Sequence, residues 1–313
     1  MLVLGEVRTC LLHNAGLLPQ PMVVQLLGLV PGRRALSTDR PVGRSVSPEL
    51  TVGVDCQLAT ESGKRARGVG TVTSHAVITA GAVLQGSAKA HVRRAAADHR
   101  LSWEHYAGQP GLIEVISRAD TADLAAGYLA DTSPMCTLDL GSVSGHLISS
   151  VQMSPQLDHI TYVRSRLTRV CWVARVGNSD SPVAQVHTKD DVVRTIDLTV
   201  SENQLGLAVR FCEDFALHDW LLTTLGQIIE QAQRAQLAGR EPIDILSPAV
   251  ERLLHLWMPG ADVDPALRTL WEALEQRPGF SLQWNSQVAR IRDWIRLRTL
   301  EALEHNRRSS VEW

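Results

Sequence analysis

The sequence predicts an α+β fold, with a strand-rich α+β region over residues 1–200 and an all-helical region over residues 201–313. Three observations predict it. Short β-branched and alternating segments recur from Leu2 to Val200. Ser201-Glu202-Asn203-Gln204 has the form of a capping box, in which a hydroxyl at the N-cap and a glutamine three residues later each satisfy a free amide. Three stop-and-start signals, Ser247-Pro248, Asp264-Pro265 and Pro278-Gly279, then divide the remainder into helices.

Taken in order, Leu2 to Leu12 mixes alternation with β-branched residues and predicts a strand. Val23, Leu26, Leu27 and Val30 share one helical face, and Pro31-Gly32 ends that helix. Arg33 to Pro48 reads as a loop. Thr51 to Leu58 and Gly68 to Thr73 flank a polar loop as the arms of a hairpin would, and Val77 to Thr79 and Ala82 to Val92 supply further strands. Leu112 to Ile116 is another strand, and Thr121 to Leu129 a helix capped by Thr121 or Asp120. Leu140, Val143, Leu147 and Val151 predict a helix over 138–151, in which Gly141 and Gly145 suit close approach of a second backbone. Ile160 to Val176 reads as a strand with Tyr162, Arg164 and Arg166 on one face, and Val193 to Val200 as another. The helical part begins at Ser201 and runs to Gly239 as one helix or as two broken near His218-Asp219. Helices then start at Ser247-Pro248 and Asp264-Pro265 and end at Pro259-Gly260 and Pro278-Gly279. The last runs over 282–305 with Val288, Ile291, Ile295 and Ala302 on a stripe.

The chain has 313 residues, 44% hydrophobic and 20% charged, which is enough to bury a large core and far from disordered or membrane compositions. Its net charge of −2 conceals thirteen basic against nine acidic residues over 1–120 and six against twelve over 201–280. Neither field is strong enough to imply nucleic acid. Five scattered cysteines without a C-x-x-C pair predict reduced, buried thiols rather than a zinc or redox centre. The uncharged stretch from Cys10 to Gly32 is broken by three prolines, so neither a spanning helix nor a signal peptide is expected. A cytoplasmic protein is the expectation.

Gly68 to Leu84 looks like the strand and turn that present the catalytic histidine of trypsin-like proteases. Ala82 stands where the histidine is needed, and no Gly-Asp-Ser-Gly-Gly segment follows. A methyl group cannot act as a general base, so that chemistry is excluded. Phosphate-binding loops are missing too, and no cofactor is expected. The one place where histidine and carboxylates gather is Glu213-Asp214-Phe215-Ala216-Leu217-His218-Asp219. On a helix Asp214 and His218 share a face at a spacing that suits two metal ligands or an oriented base. Two ligands do not make a metal site, and the plainer reading is an acidic helix end whose His218 and Asp219 begin the next helix.

Arginines gather at Arg164, Arg166, Arg169 and Arg175, and again at Arg290, Arg292, Arg296 and Arg298 around Trp294, where Asp293 among them suits a salt-bridged surface. Five of the eight tryptophans, Trp257, Trp271, Trp284, Trp294 and Trp313, lie in the last 57 residues. Rings at helical spacing are usually core, while Trp beside Arg is also typical of interface anchors.

The opening Met1 to Leu12, Ala216-Leu217-His218-Asp219-Trp220-Leu221-Leu222-Thr223-Thr224-Leu225 and Leu254-His255-Leu256-Trp257-Met258-Pro259-Gly260 together resemble a family of actinomycete proteins with no assigned activity. The resemblance implies a gene cluster that also encodes a variant P-loop protein and a methyltransferase-like protein. It implies no site residues. The expected function is that of a non-enzymatic adaptor or assembly component that binds another protein, a P-loop protein among the candidates, through the helical region. Trp284, Trp294, Arg292 and Arg296 are its expected contacts. The alternative is a hydrolase or small-molecule-binding protein with a site between the two regions, for which Asp214, His218 and Asp219 are the candidates.

Overall fold

The computed structural model describes residues 1–117, 119–130, 137–177, 181–276 and 279–309, with Leu303 the one side chain described beyond residue 300. Cys136, Pro278, Trp313 and the Ala302 side chain therefore lie outside the described residues.

The elements are β1 (Leu2–Leu11), α1 (Gln20–Leu26), β2 (Leu36–Thr38), β3 (Arg44–Val46), β4 (Leu50–Ala59), β5 (Arg65–Thr79), β6 (Val83–Arg94), α2 (Trp103–Ala107), β7 (Leu112–Val115), α3 (Thr121–Ala130), α4 (Leu140–Gln152), β8 (Thr168–Val176), β9 (Val183–Thr188), β10 (Val193–Val200), α5 (Ala208–Leu237), α6 (Ile243–Arg252), α7 (Arg268–Gln276) and α8 (Phe280–Ser309). The strands form one mixed sheet in the order β2-β3-β5-β7-β6-β1-β8-β10-β9, with β4 along β5. The fold is α+β, with α1–α4 set among the strands and α5–α8 following them.

β1 lies inside the sheet, antiparallel to β6 from Leu2↔Val92 to Leu11↔Val83 and antiparallel to β8 on its other side. Helices cover both faces, so nearly every residue of β1 is buried. That is why its alternation is mixed: neither set of side chains meets water. Val3, Val7 and Leu11 join Val170, Trp172, Ile196 and Leu198 beneath Phe211, Phe215 and Trp220 of α5. On the opposite face Leu2 and Leu4 meet Leu124 of α3 and Leu140 of α4, while Leu12 and Leu84 meet Val23 of α1 and Leu147 of α4. Each such large apolar side chain contributes about 1.5–3 kcal/mol when fully buried.

The helical region is not a separate module in packing. Trp271, Phe280 and Trp284 belong to the same cluster as Val3 and Trp172. Sequence boundaries at residue 201 mark a change of secondary structure, whereas the core runs through it.

Several expected elements differ. The helix at 201–239 is one unbroken α5 preceded by a 3-10 turn, Glu202–Leu207, in which Gln204 accepts from the Ser201 amide. His218 and Asp219 are buried in its middle, His218 beneath the 258–260 turn and Asp219 against Arg194 of β10. β8 begins only at Thr168: its pairing to β1 ends at Thr9↔Thr168, so 160–167 has no ladder to join. The loop expected over 33–48 contains β2 and β3, which extend the sheet beside β5. Pro248 lies inside α6, which starts after Pro242; the Ser247 hydroxyl bonds Glu251 rather than capping a helix. Asp264 does cap, accepting from the Ala266 amide, and Gly279 adopts the left-handed φ of 73° expected of a helix stop. Gly141 and Gly145 make room for a side chain rather than a backbone: a Cβ at either would lie within 2.9 Å of the Arg8 guanidinium. No helix among the described residues is long and apolar enough to cross a membrane.

Candidate functional site

Because α5 is continuous, the residues of 213–219 point to three different surroundings. Glu213 faces the sheet. Asp214 and His218, one turn apart, face the 258–260 turn, and Asp219 faces the edge formed by β9 and β10.

Glu213 is the centre of a buried polar cluster. Its carboxylate accepts from Arg44 of β3 at 2.6 Å and lies 2.6 Å from Nε2 of His75 on β5. Burial opposes its charge, but His75, Arg44 and the Ser87 hydroxyl outweigh that and hold the carboxyl at about 2. Gln85 of β6 donates to the Glu213 carbonyl at 2.9 Å, and Arg44 approaches Asp262 at 3.8 Å. The space among these groups is about 10 Å³, too little for a substrate. The cluster pins α5 to three strands, β3, β5 and β6.

Asp214 and His218 share a face as their spacing requires, and structural bonds occupy them. Asp214 Oδ2 accepts from the Gly260 amide at 2.8 Å. His218 Nδ1 donates to the Asp214 carbonyl at 2.7 Å, while Nε2 accepts from the Met258 amide at 3.2 Å. Both imidazole nitrogens are thus committed, and the ring stands edge-on to Trp257 and Trp271. Together they tie the 258–260 turn to α5, and neither imidazole nitrogen of His218 is left for a metal or a substrate. Among the described residues no group of three or more His, Cys, Asp or Glu side chains is placed to hold a metal ion.

Asp219 is separate from this pair. Arg194 of β10 donates to its Oδ1 at 3.0 Å, while Oδ2 is buried without a hydrogen-bond partner. Burial pushes its carboxyl up to about 6, against the pull of Arg194. Asp219 lines a cleft of about 560 Å³ between the β9–β10 turn, α5 and α8, beside Arg166, Asp191, Gln227, Gln287 and Phe280. The cleft thus lies between strands and helices, with one of the three candidate residues on its wall.

The expected contact residues also divide. Trp284 is 5% exposed and stacks on Trp257 at 4.4 Å with the rings 5° from parallel, so it belongs to the core. Trp294 is half-buried against the same core. Arg292 and Arg296 are exposed on α8. On that outer face Leu282, Leu297, Leu300 and Leu303 are 57–76% exposed. Leu282 and Leu300 are five turns apart and lie on one line of the helix; Leu297, Leu303 and both arginines fall within a quarter turn of it. The arginines expected as one group at 164–175 are dispersed, with Arg169 on Glu6, Arg175 on Asp197 and Arg166 at the cleft. Burial drives the thiols of Cys10 and Cys56 up to about 12, which leaves them unreactive.

Sequence spacing brought Asp214 and His218 to notice but missed Arg44, His75 and Arg194. Each is a lone polar residue on a strand, and its partner is distant in the chain. The chain matches no protein-family model, no curated protein and no solved structure.

Proposed function

We propose that the chain is a non-enzymatic adaptor or assembly component that binds a protein partner through the outer face of α8. The observation that carries this is the row Leu282, Leu297, Leu300 and Leu303, exposed beside Arg292 and Arg296 on a helix whose opposite face is already seated on α5 and α7. Scattered exposed leucines are common, but four on one helical face with arginines between them match the anchor-and-rim pattern of helix-mediated recognition. The partner proposed is the P-loop protein that the family resemblance implies. The arginines favour an acidic rim on its surface. The commitment of Asp214 and His218 to structural bonds weighs against a hydrolase built on them.

The test is calorimetric titration of the purified chain with the P-loop protein. Replacing Leu297 and Leu300 together by aspartate is expected to weaken binding at least about a hundredfold, since two interface anchors at about 1–2 kcal/mol each are lost and charge is placed where they sat. Unchanged binding by this variant, or no binding by the unaltered chain, overturns the proposal. His218→Ala serves as the opposite control: if the variant still folds yet loses binding, the site lies elsewhere.

A further inference from the structure

The cleft beside Asp219 holds an arrangement that partner docking on α8 does not use. A buried carboxylate oxygen normally has a donor, because leaving it unpaired costs about 1–3 kcal/mol or more. Asp219 Oδ2 has none, although the side chain is only 7% exposed, and Gln287 Oε1, also on the cleft wall, has none either. Both are acceptors, so the missing groups are donors. The orientation of Asp219 is not accidental: Arg194 is held in turn by the carbonyls of Asp190 and Val193, and fixes the carboxylate from behind.

Charge narrows the chemistry of what would fit. The cleft walls carry Arg166, Arg194 and Arg234 against Asp190, Asp191, Asp219 and Glu230, which nearly balance. Arg194 already neutralises Asp219, and Glu230 pairs with Arg234. A cation placed on Asp219 would face Arg194, and an anion placed on Arg166 would meet Asp191 and Glu230 on the same walls. The remaining lining pairs the amides and hydroxyls of Gln227, Gln283, Gln287, Thr188 and Thr223 with an apolar part made by Val186, Phe215, Leu222 and Phe280, against which the ring face of a polyol can lie. Such walls suit a neutral molecule with many hydroxyls, each able both to donate to the carboxylate and to accept from an arginine. The volume of about 560 Å³ falls within the range of small-molecule sites.

We propose that the cleft between the β9–β10 turn, α5 and α8 binds a neutral polyhydroxylated molecule of sugar size, whose hydroxyls donate to Asp219 Oδ2 and Gln287 Oε1. This site is independent of the α8 surface, so either assignment can fail without the other.

The experiment is titration of the full chain with glucose, maltose and inositol, read by calorimetry and by thermal shift, with arginine, glycine and orthophosphate as charged probes. Saturable binding of at least one polyol, with the charged probes inert, is expected. Asp219→Asn keeps an acceptor for Arg194 but turns an amide nitrogen toward the cleft, and is expected to weaken polyol binding about tenfold to a hundredfold, as for a hydrogen bond to a charged group. Should that variant fail to fold, Gln287→Ala at the half-buried wall is expected to weaken binding about fivefold with the fold intact. No polyol bound at tens of millimolar, binding of the charged probes instead, or unaltered affinity in the folded variants overturns the proposal.

Discussion

A buried carboxylate can be held charged or left short of donors, and on α5 Glu213 shows the first case and Asp219 the second. Glu213 sits between His75 and Arg44 at 2.6 Å from both. Its folded acidity lies below the ordinary 4.5, at about 2, so its ion pairs contribute stability that is fully present above pH 4.5 and lost as pH falls toward 2. Glu213→Gln removes one side of a buried ion cluster and leaves Arg44 and His75 uncompensated. Denaturant unfolding at pH 7 should show a loss of about 3–5 kcal/mol, and the gap to the unaltered chain should narrow as pH falls through that window. An equal gap at pH 3 and pH 7 would show that packing, and not charge, carries the effect. Asp219 behaves in the opposite sense. Burial raises its carboxyl to about 6, so the folded state holds a proton more readily than the unfolded chain, and the group costs stability as pH rises from about 4 through 6. Asp219→Asn is therefore expected to keep or raise the melting temperature at pH 7.5. A clear fall would make the Arg194 pair a structural brace and remove the sign of a site kept at the expense of stability. At this scale the sequence was half legible. Asp214 and His218 were visible because helical spacing is local. His75 and Arg44 were not, since they are 138 and 169 residues away from the carboxylate they serve.

Elements follow from sequence where the chain meets water on one side and become opaque where it does not. The β4–β5 hairpin, α4 and the Asp264 start were readable for that reason: turn chemistry and helical spacing are local, although the Asp139 cap of α4 went unread. β1 was placed correctly as a strand, but its position inside the sheet was hidden because both faces are covered and the alternation disappears. The sequence extends β8 too far and leaves α5 open as one helix or two, since pairing partners and tertiary contacts, not propensity, set their limits. Within β1, Gly5 shows how tightly this centre is packed. It lies opposite Trp172 in the ladder, and a Cβ there would stand 2.1 Å from the indole ring, which covers the glycine. The constraint is one of space, because the Gly5 backbone is ordinary strand. Gly5→Ala is expected to cost about 1–3 kcal/mol by overpacking. Trp172→Leu alone should also destabilise, by opening a cavity, yet the double variant should be less damaged than the sum of the two. Thermal unfolding of all four proteins measures this coupling, and additive losses would mean that the ring moves aside when the methyl is added.

At the scale of the whole molecule, the change of texture at Ser201 is real as a change of secondary structure and misleading as a boundary of stability. The sheet face made by Val3, Val7, Val170, Trp172, Ile196 and Leu198 is covered chiefly by α5 and the helices packed on it. Cutting the chain there would expose that face over several strands, in addition to removing the Glu213 clasp from His75 and Arg44. Together these losses exceed the margin of about 5–15 kcal/mol by which a native domain is stable. The fragment 1–200 is therefore expected to aggregate or to bind hydrophobic dyes without a cooperative melt, and the full chain to unfold in one transition whether followed by far-ultraviolet dichroism or by tryptophan fluorescence. Two separated transitions in the full chain, or a soluble and cooperative 1–200 fragment, would show instead that the strands carry their own core. The outcome also determines how the α8 surface must be studied. If the core is shared, loss of a partner on truncation reports unfolding as readily as a lost contact. Substitutions at Leu297 and Leu300, both outside that core, then separate the two.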